Sequence, residues 1–501
     1  MSAARGGSAR KRVVVVGAGL GGLSAACHLV GRGYDVLVVE RGDQPGGRAA
    51  RVTRNGFVFD LGPTVLTMPG LVDEVVRAAG STLEDLLTIH RVDPAYRATF
   101  ADGSVINVRA SRDAMLEEIR TACGPREALA FERFASWLEE LYRLEMPTFI
   151  ERNYDRPWDV ARPLRPGLDL LRMGALRSLH AKLTSFFDDE RLHRLFGFQA
   201  MYAGLAPHQA RAVFAVITYM DCLAGVFTVE GGIGAVPAAL AAAAEKGGAA
   251  FSYGTEITEV VRASGSTGAV QGVRTADGEV ITADAVVLNA DLPVAWRLLP
   301  GLTPPRRLTK PRYSPSAYVW HLGVRGQPPP GTAHHNIHFG EQWRESFDAI
   351  LRDGRRMPDP SILVSVPTVS HPELAPEEGS VLYVLEPVPN LEHPLDWSTE
   401  RATTRARLLE MLVARGYVGG EGDIVAEEIW DPADWQRSGL AAGTPFALAH
   451  TFLQSGPFRP NNVDKRVPGL VFVGSGTVPG VGVPMVLVSG RLAADRVDEL
   501  S

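Results

Sequence analysis

The chain has 501 residues, 45% of them apolar, with 57 acidic against 51 basic side chains and a formal net charge of −6. That length predicts two or three domains with ample buried core, and the acidic balance excludes a general nucleic-acid binder. No uninterrupted apolar run reaches the roughly 18 residues a spanning helix needs. Cys27, Cys123 and Cys222 show neither metal spacing nor a disulfide framework, which fits a reducing cytoplasm.

The basic start, Met1 to Arg12, precedes a valine run, but that run continues into glycines in fingerprint order, so a signal peptide is rejected. Val13 to Glu40 reads as a buried strand, a glycine turn, a helix and a second strand, Val36 to Val39, ending in an acid. Gly17, Gly19 and Gly22 have G-x-G-x-x-G spacing: the first permits the turn, the second admits a pyrophosphate, and the third lets the helix lie close to the sheet. The helix turns its positive end to that anion. Glu40 stands where a carboxylate accepts from ribose hydroxyls. This predicts a Rossmann-type dinucleotide-binding domain.

Arg41 to Ala49 and Gly56 to Thr64 choose the dinucleotide. Gly46 and Gly47 permit close backbone approach and Arg48 supplies a fixed cation near phosphates. A glycine-glycine-arginine segment of this kind marks flavoproteins that wrap FAD, so we expect FAD, held permanently.

Further along, Leu71 to Ala79 is a helix closed by Gly80, and Tyr96 to Phe100 with Val105 to Val108 flank a hairpin turn. Asp113 to Met146 reads as helices separated near Gly124 and Pro125. Arg152 to Lys182 carries seven basic residues against three acids. Leu168, Leu171, Leu176, Leu179 and Leu183 give it an apolar side, with Arg172, Arg177 and Lys182 available as cations. Two readings stay open: a solvated helix over a substrate cavity, or a basic amphipathic segment lying on an anionic bilayer.

From Phe227 the pattern returns to α/β. Phe227 to Val229 leads to a helix at Ala235 to Ala244 and a strand near Phe251. Glu256 to Val261, Ala269 to Thr275 and Val280 to Thr282 form a meander, with Ile257 expected along the adenosine. Ala285 to Leu288 is a buried strand ended by N-A-D. Pro300 to Asp464 is strand-rich, with Tyr318 to Val324, Asn336 to Phe339, Ile362 to Val366 and Val381 to Val388 in one large sheet. His334, His335 and His338 lie there, but strand alternation keeps three ligands off a common face, so no metal is expected. At the end, Leu470 to Val473 meets Gly474 and Ser475, whose amides can reach the FAD phosphates. A helix beginning near Pro484 aims its positive end at the flavin ring.

These residues resemble the bacterial and fungal carotenoid desaturases over nearly the whole chain. The resemblance rests on the fingerprint with Glu40 and Arg48, on G-F-V-F-D-L-G-P-T, F-T-V-E-G-G-I-G-A-V and P-V-P-N-L with Asp396 and Trp397, and on the terminal G-S-G-T-V-P-G-V-G-V-P. Val478 and Met485 depart from the pattern, where family members more often carry a bulkier residue and a glycine. The resemblance implies an FAD-dependent desaturase extending the conjugation of phytoene or a related acyclic precursor, with quinone or oxygen as electron acceptor. It also implies a peripheral position on the inner face of the cell membrane. The expected class is α/β: a discontinuous cofactor domain (residues 10–80, 226–293 and 466–501), a mixed-sheet substrate domain (81–110 and 294–465), and a helical lid or membrane-contact region (111–225). Expected cofactor contacts are Gly17, Ala18, Gly19, Gly21, Gly22, Glu40, Arg41, Gly47, Arg48, Gly62, Pro63, Thr64, Ile257, Gly474, Ser475, Gly482, Val483, Pro484 and Met485. Asp159 and Arg162 resemble an acid–base pair of some family members. An amine or porphyrinogen oxidase, a carotenoid isomerase or ketolase, and a prenyl-binding escort protein remain as alternatives.

Overall fold

The computed structural model describes residues 10–156, 158–159, 164–264 and 268–500, so Arg162 and the start of the basic amino-terminal stretch lie outside it. Four consecutive valines favour extended backbone and have nothing to offer water, and Arg12–Val16 accordingly forms the middle strand of a five-stranded parallel sheet. The order is Ala250–Ser252, Asp35–Val39, Arg12–Val16, Ala285–Leu288, Leu470–Phe472. Such a strand is covered on both faces. Val13 and Val15 pack with Leu23, Val76, Leu240 and Leu492 of the helices Leu20–Gly31, Pro69–Ala78, Ala235–Lys246 and Val483–Leu500. Val14 and Val16 point the other way, onto Val260 and Val273 of the antiparallel meander Ile257–Arg262, Val270–Thr275, Val280–Thr282. The first and last helices touch closely: Ser24 Oγ donates to Leu487 O at 2.7 Å, and a Cβ on Gly490 would stand 2.3 Å from that hydroxyl. This contact returns the end of the chain to its beginning.

A second sheet has seven strands in the order Ile424–Trp430, Ser316–Arg325, Gly379–Val388, Ile362–Ser365, His335–His338, Tyr96–Thr99, Val105–Val108. Its neighbours are antiparallel except His335–His338 with Tyr96–Thr99, which run parallel. The early hairpin thus joins strands far downstream. Val226–Val229 stays outside the parallel sheet and pairs with Leu66–Thr67 and Ile89–Arg91, tying the two halves together.

Helices cover one side of the second sheet. Arg112–Cys123 starts at Ser111, whose hydroxyl accepts from Ala114 N–H at 3.2 Å. Gly124 (φ 97°) then breaks the axis before Pro125–Glu145, with proline at the first helical position, as the spacing predicts. The Phe134 ring lies 5.2 Å from the rings of both Phe187, met edge to face, and Phe196, met at a tilt, within this layer. The long helix passes into a π-turn, Met146–Ile150, and a second π-turn, Met220–Ala224, follows Ala215–Tyr219. No described helix is long and apolar enough to cross a membrane.

Candidate active site

Between the two sheets runs one cavity of ≈ 1830 Å³. Small-ligand pockets occupy about 300–1,000 Å³, so this one has room for a dinucleotide and a second long molecule. Its two ends differ in kind.

The first end is built of backbone. Gly17 holds φ 101°, and a Cβ on Gly22 would lie 2.2 Å from Gly17 O, so only glycine lets the helix close on the strand. Gly46 N–H donates to Ala18 O at 2.9 Å, and a Cβ on Gly47 would lie 3.2 Å from Gly19 Cα. Glu40 fastens this cradle: Ala18 N–H donates to Oε2 at 2.7 Å and Gly42 N–H to Oε1 at 2.8 Å. Each carboxylate oxygen keeps acceptor capacity, as binding a ribose requires. Arg48 Nη1 donates to Pro445 O at 2.8 Å, and Nη2 lies 3.9 Å from Asp291 Oδ1. Arg41 donates to Ser438 O at the rim. A Cβ on Gly62 would meet Arg48 O at 1.8 Å, which presses the Gly62–Thr64 loop onto the same wall.

The carboxyl-terminal strand completes the cradle. Gly474 N–H donates to Ser489 Oγ at 3.1 Å, while Ser475 Oγ is buried without a hydrogen-bond partner among the described residues. An orphaned hydroxyl beside a glycine surface suits a pyrophosphate lying on the backbone. Gly482, Val483, Pro484 and Met485 line the cavity at the start of the last helix, whose positive end points into it. FAD held here supplies the acceptance of hydride; the chain supplies the cradle, the cation and the helix dipole.

Of the expected cofactor contacts, all line the cavity except Ala18 and Gly22, which act from behind it through the Glu40 bond and the tight helix–strand packing. Sequence reasoning missed three supports. Asn289 Nδ2 donates to Gly17 O at 3.2 Å, and its amide also abuts Gly21 and Gly474. Asp291 accepts from Ala441 N–H at 2.9 Å; burial pushes its carboxyl up while Arg48 holds it down. The N-A-D at the end of a parallel strand was their signal, since ligands gather at the carboxyl ends of such strands. Arg459, 1% exposed, donates to Thr477 O at 2.9 Å, Gln454 O at 3.1 Å and Ser475 O, clamping the phosphate loop; burial lowers it to about 9. Nothing in the local sequence marks it.

The second end is apolar and aromatic, with Phe198, Met201, Phe214, Ile217, Phe339 and Tyr383 in its walls. Leu176 and Phe452, 47% and 64% exposed, line the cavity where it meets solvent.

Two expectations need correction. Asp159 Oδ2 accepts from the N–H groups of Asp155 at 3.1 Å and Arg156 at 2.8 Å. The carboxylate therefore caps its own turn, and it is not among the cavity-lining residues. Lys182 is not an outward cation: Nζ donates to Met173 O at 2.9 Å and sits 4.8 Å above the Trp137 ring. The histidines go to separate partners: His334 Nδ1 to Ser370 Oγ at 2.8 Å, His338 Nε2 to Tyr417 OH at 3.1 Å, and His335 Nε2 to Thr64 O at 3.0 Å.

The parallel sheet, its glycine cradle and the second sheet together define a dinucleotide-binding flavoprotein whose cradle shares one cavity with an apolar, aromatic end. Residues 20–498 match the family of flavin containing amine oxidoreductases. The chain is 47% identical over 491 residues to a phytoene dehydrogenase of Streptomyces griseus, covering 97% of this chain and 94% of that protein. It is 39% identical over 494 residues to a zeta-carotene-forming phytoene desaturase of Myxococcus xanthus, with the same coverage of 97% and 94%. An oxidoreductase from Methanosarcina mazei shares the fold at TM-score 0.64 and 18% identity, covering 96% of this chain and 99% of that one. The protein belongs to the flavin-containing amine oxidoreductase family and, within it, to the carotenoid desaturases; it is an FAD-dependent oxidoreductase.

Proposed function

We propose that the protein introduces conjugated double bonds into phytoene or a related acyclic carotenoid precursor. The observation that carries this reading is the continuity of the cavity: the glycine cradle and the aromatic compartment share one space of ≈ 1830 Å³, which leaves room for a large apolar substrate beside a dinucleotide. Dehydrogenating an unactivated chain demands a dry, shaped site that fixes one carbon–carbon bond beside the cofactor. Residues 10–80, 226–293 and 466–501 would hold FAD through the cradle residues named above. Residues 81–110 and 294–465 would wall the substrate, and 111–225 would cover it.

The substrate enters from a membrane surface on this reading. Leu164–Arg172 exposes Leu164 (70%), Leu168 (52%) and Leu171 (54%) instead of burying them, and the cavity-lining Leu176 follows. Arg172 and Arg177 flank the stripe, the arrangement of an interfacial helix on anionic lipid. The protein would then sit peripherally on the cytoplasmic face of the cell membrane, with quinone or oxygen reoxidising the cofactor.

The test is anaerobic holoenzyme mixed with phytoene in liposomes. The oxidised flavin band should bleach, with at most about one new double bond per FAD, until quinone or air restores the band and longer chromophores accumulate. Isomerised but equally saturated product, with no bleaching, would refute this function.

A further inference from the structure

Desaturation removes a hydride from one carbon and a proton from its neighbour, and the proton needs a receiver. We propose that Asp221 is the proton acceptor, oriented by Tyr96 and grouped with Tyr202 in the wall of the substrate compartment. The inference rests on the desaturase reading. In the step, the C–H bond facing Asp221 breaks and its electron pair becomes the new π bond. The neighbouring hydrogen departs with its own pair, reducing FAD by two electrons, and the Asp221 carboxylate ends as the neutral acid.

Placement carries the argument. Asp221 lies in the Met220–Ala224 π-turn, is 4% exposed, and lines the cavity. Insertions of this kind recur at functional sites, because the extra residue re-aims a side chain. Tyr96 OH donates to Asp221 Oδ2 at 3.1 Å, and Tyr202 lines the same wall. The cluster stands on the cofactor side. Met220 packs in one group with Met68 and Met485, and Met485 belongs to the first turn of the last helix. The Tyr96 ring lies 5.5 Å from His335, whose Nε2 reaches Thr64 O of the cofactor loop at 3.0 Å. Asp159, by contrast, is engaged in its own turn and does not line the cavity.

The surroundings suit a base. Burial pushes Asp221 up to about 7, with the Tyr96 bond holding it down. Tyr96, Tyr202 and Cys222, which face it, are all pushed upward by burial and stay neutral where Asp221 titrates. Two further carboxyls stand in the wall at this end of the cavity: Glu145, likewise pushed up by burial, and Asp359, whose Oδ2 accepts from the backbone N–H groups of Glu341 and Gln342. A base that titrates near the working pH has both a sizeable ionised fraction and enough proton affinity.

The experiment compares wild-type, Asp221→Asn, Asp221→Glu and Tyr96→Phe holoenzymes. Flavin content confirms that each folds. With phytoene and no acceptor, the bleaching rate should fall about 100-fold or more in Asp221→Asn and recover partly in Asp221→Glu. In the wild type the rate should rise with pH to a plateau, with its midpoint near 7. Tyr96→Phe removes the bond that favours the carboxylate, so its midpoint should move to higher pH, which a packing role would not cause. Infrared titration should show a protonated-carboxyl band with the same midpoint, absent from Asp221→Asn. Wild-type bleaching in flavin-replete Asp221→Asn overturns the assignment, as does a spectrum with no titrating band lost in that variant. If wild type leaves its flavin oxidised with every acyclic polyprenoid supplied, the desaturase reading fails, while the infrared titration still judges the carboxyl.

Discussion

The two ends of the cavity solve different problems with different parts of the chain. At the cofactor end the surface is peptide: glycines at positions 17, 19, 47 and 474 present amides and leave no side chain in the way. At the substrate end the surface is mostly apolar and aromatic side chains drawn from separate segments, with the buried carboxyls of Asp221 and Glu145 in its wall. A phosphate is bound by any correctly curved backbone, so each piece of its site is a short glycine motif within one segment, even though the pieces come from both ends of the chain. A polyene offers no polar handle, so its site must be enclosed on all sides and is assembled from strands and helices that meet only after folding.

The comparison breaks first if the cradle tolerates side chains. In Gly19→Val the first added carbon alone would stand 3.0 Å from Asn289 Nδ2, and the branches would occupy the phosphate path. Purified protein should lack the flavin spectrum entirely, and a full spectrum would void the cradle. Arg459→Met probes the loop behind it. It leaves the carbonyls of Ser475, Thr477 and Gln454 without their buried donor, at a cost of about 3 kcal/mol. A fall of several degrees in melting temperature and weaker FAD retention are expected; unchanged melting would show that the clamp is idle.

Smaller effects sharpen the substrate end. Arg172→Ala with Arg177→Ala should weaken flotation with anionic liposomes by about 2 kcal/mol, near 1 kcal/mol per charge, while leaving neutral liposomes unaffected. Lys182 is left out because its ammonium is held against Met173 O and the Trp137 ring. Flotation that ignores both charge and salt would restore the reading of a solvated cover. Least of all should change in Asp159→Asn, since an amide oxygen still accepts from the turn N–H groups. Turnover within about twofold of wild type is expected because the carboxylate stands away from the cavity, and stability should stay within about 0.5 kcal/mol, as for other surface changes. A collapse of turnover with flavin content intact would return Asp159 to the chemistry.

The sequence by itself determined the parallel sheet, the glycine cradle and most strands of the second sheet, though not its edge strand Ile424–Trp430. Each is a local pattern with a short-range cause: consecutive valines for a strand covered on both faces, glycines where a Cβ would strike backbone, and Glu40 at a strand tip. The hinge at Gly124 and Pro125 was legible for the same reason. Tertiary structure alone decided what stands behind and beyond these patterns. Arg459 reaches the phosphate loop only when the carboxyl-terminal strand pairs with Ala285–Leu288. Tyr96 meets Asp221 only because the early hairpin joins a sheet built mostly of later strands, while the Met220–Ala224 π-turn comes in from the helical side. Sequence spacing records contacts along a helix or a strand. A buried carboxyl and its donor from different layers leave no periodic trace, because their proximity belongs to the packing and not to either segment.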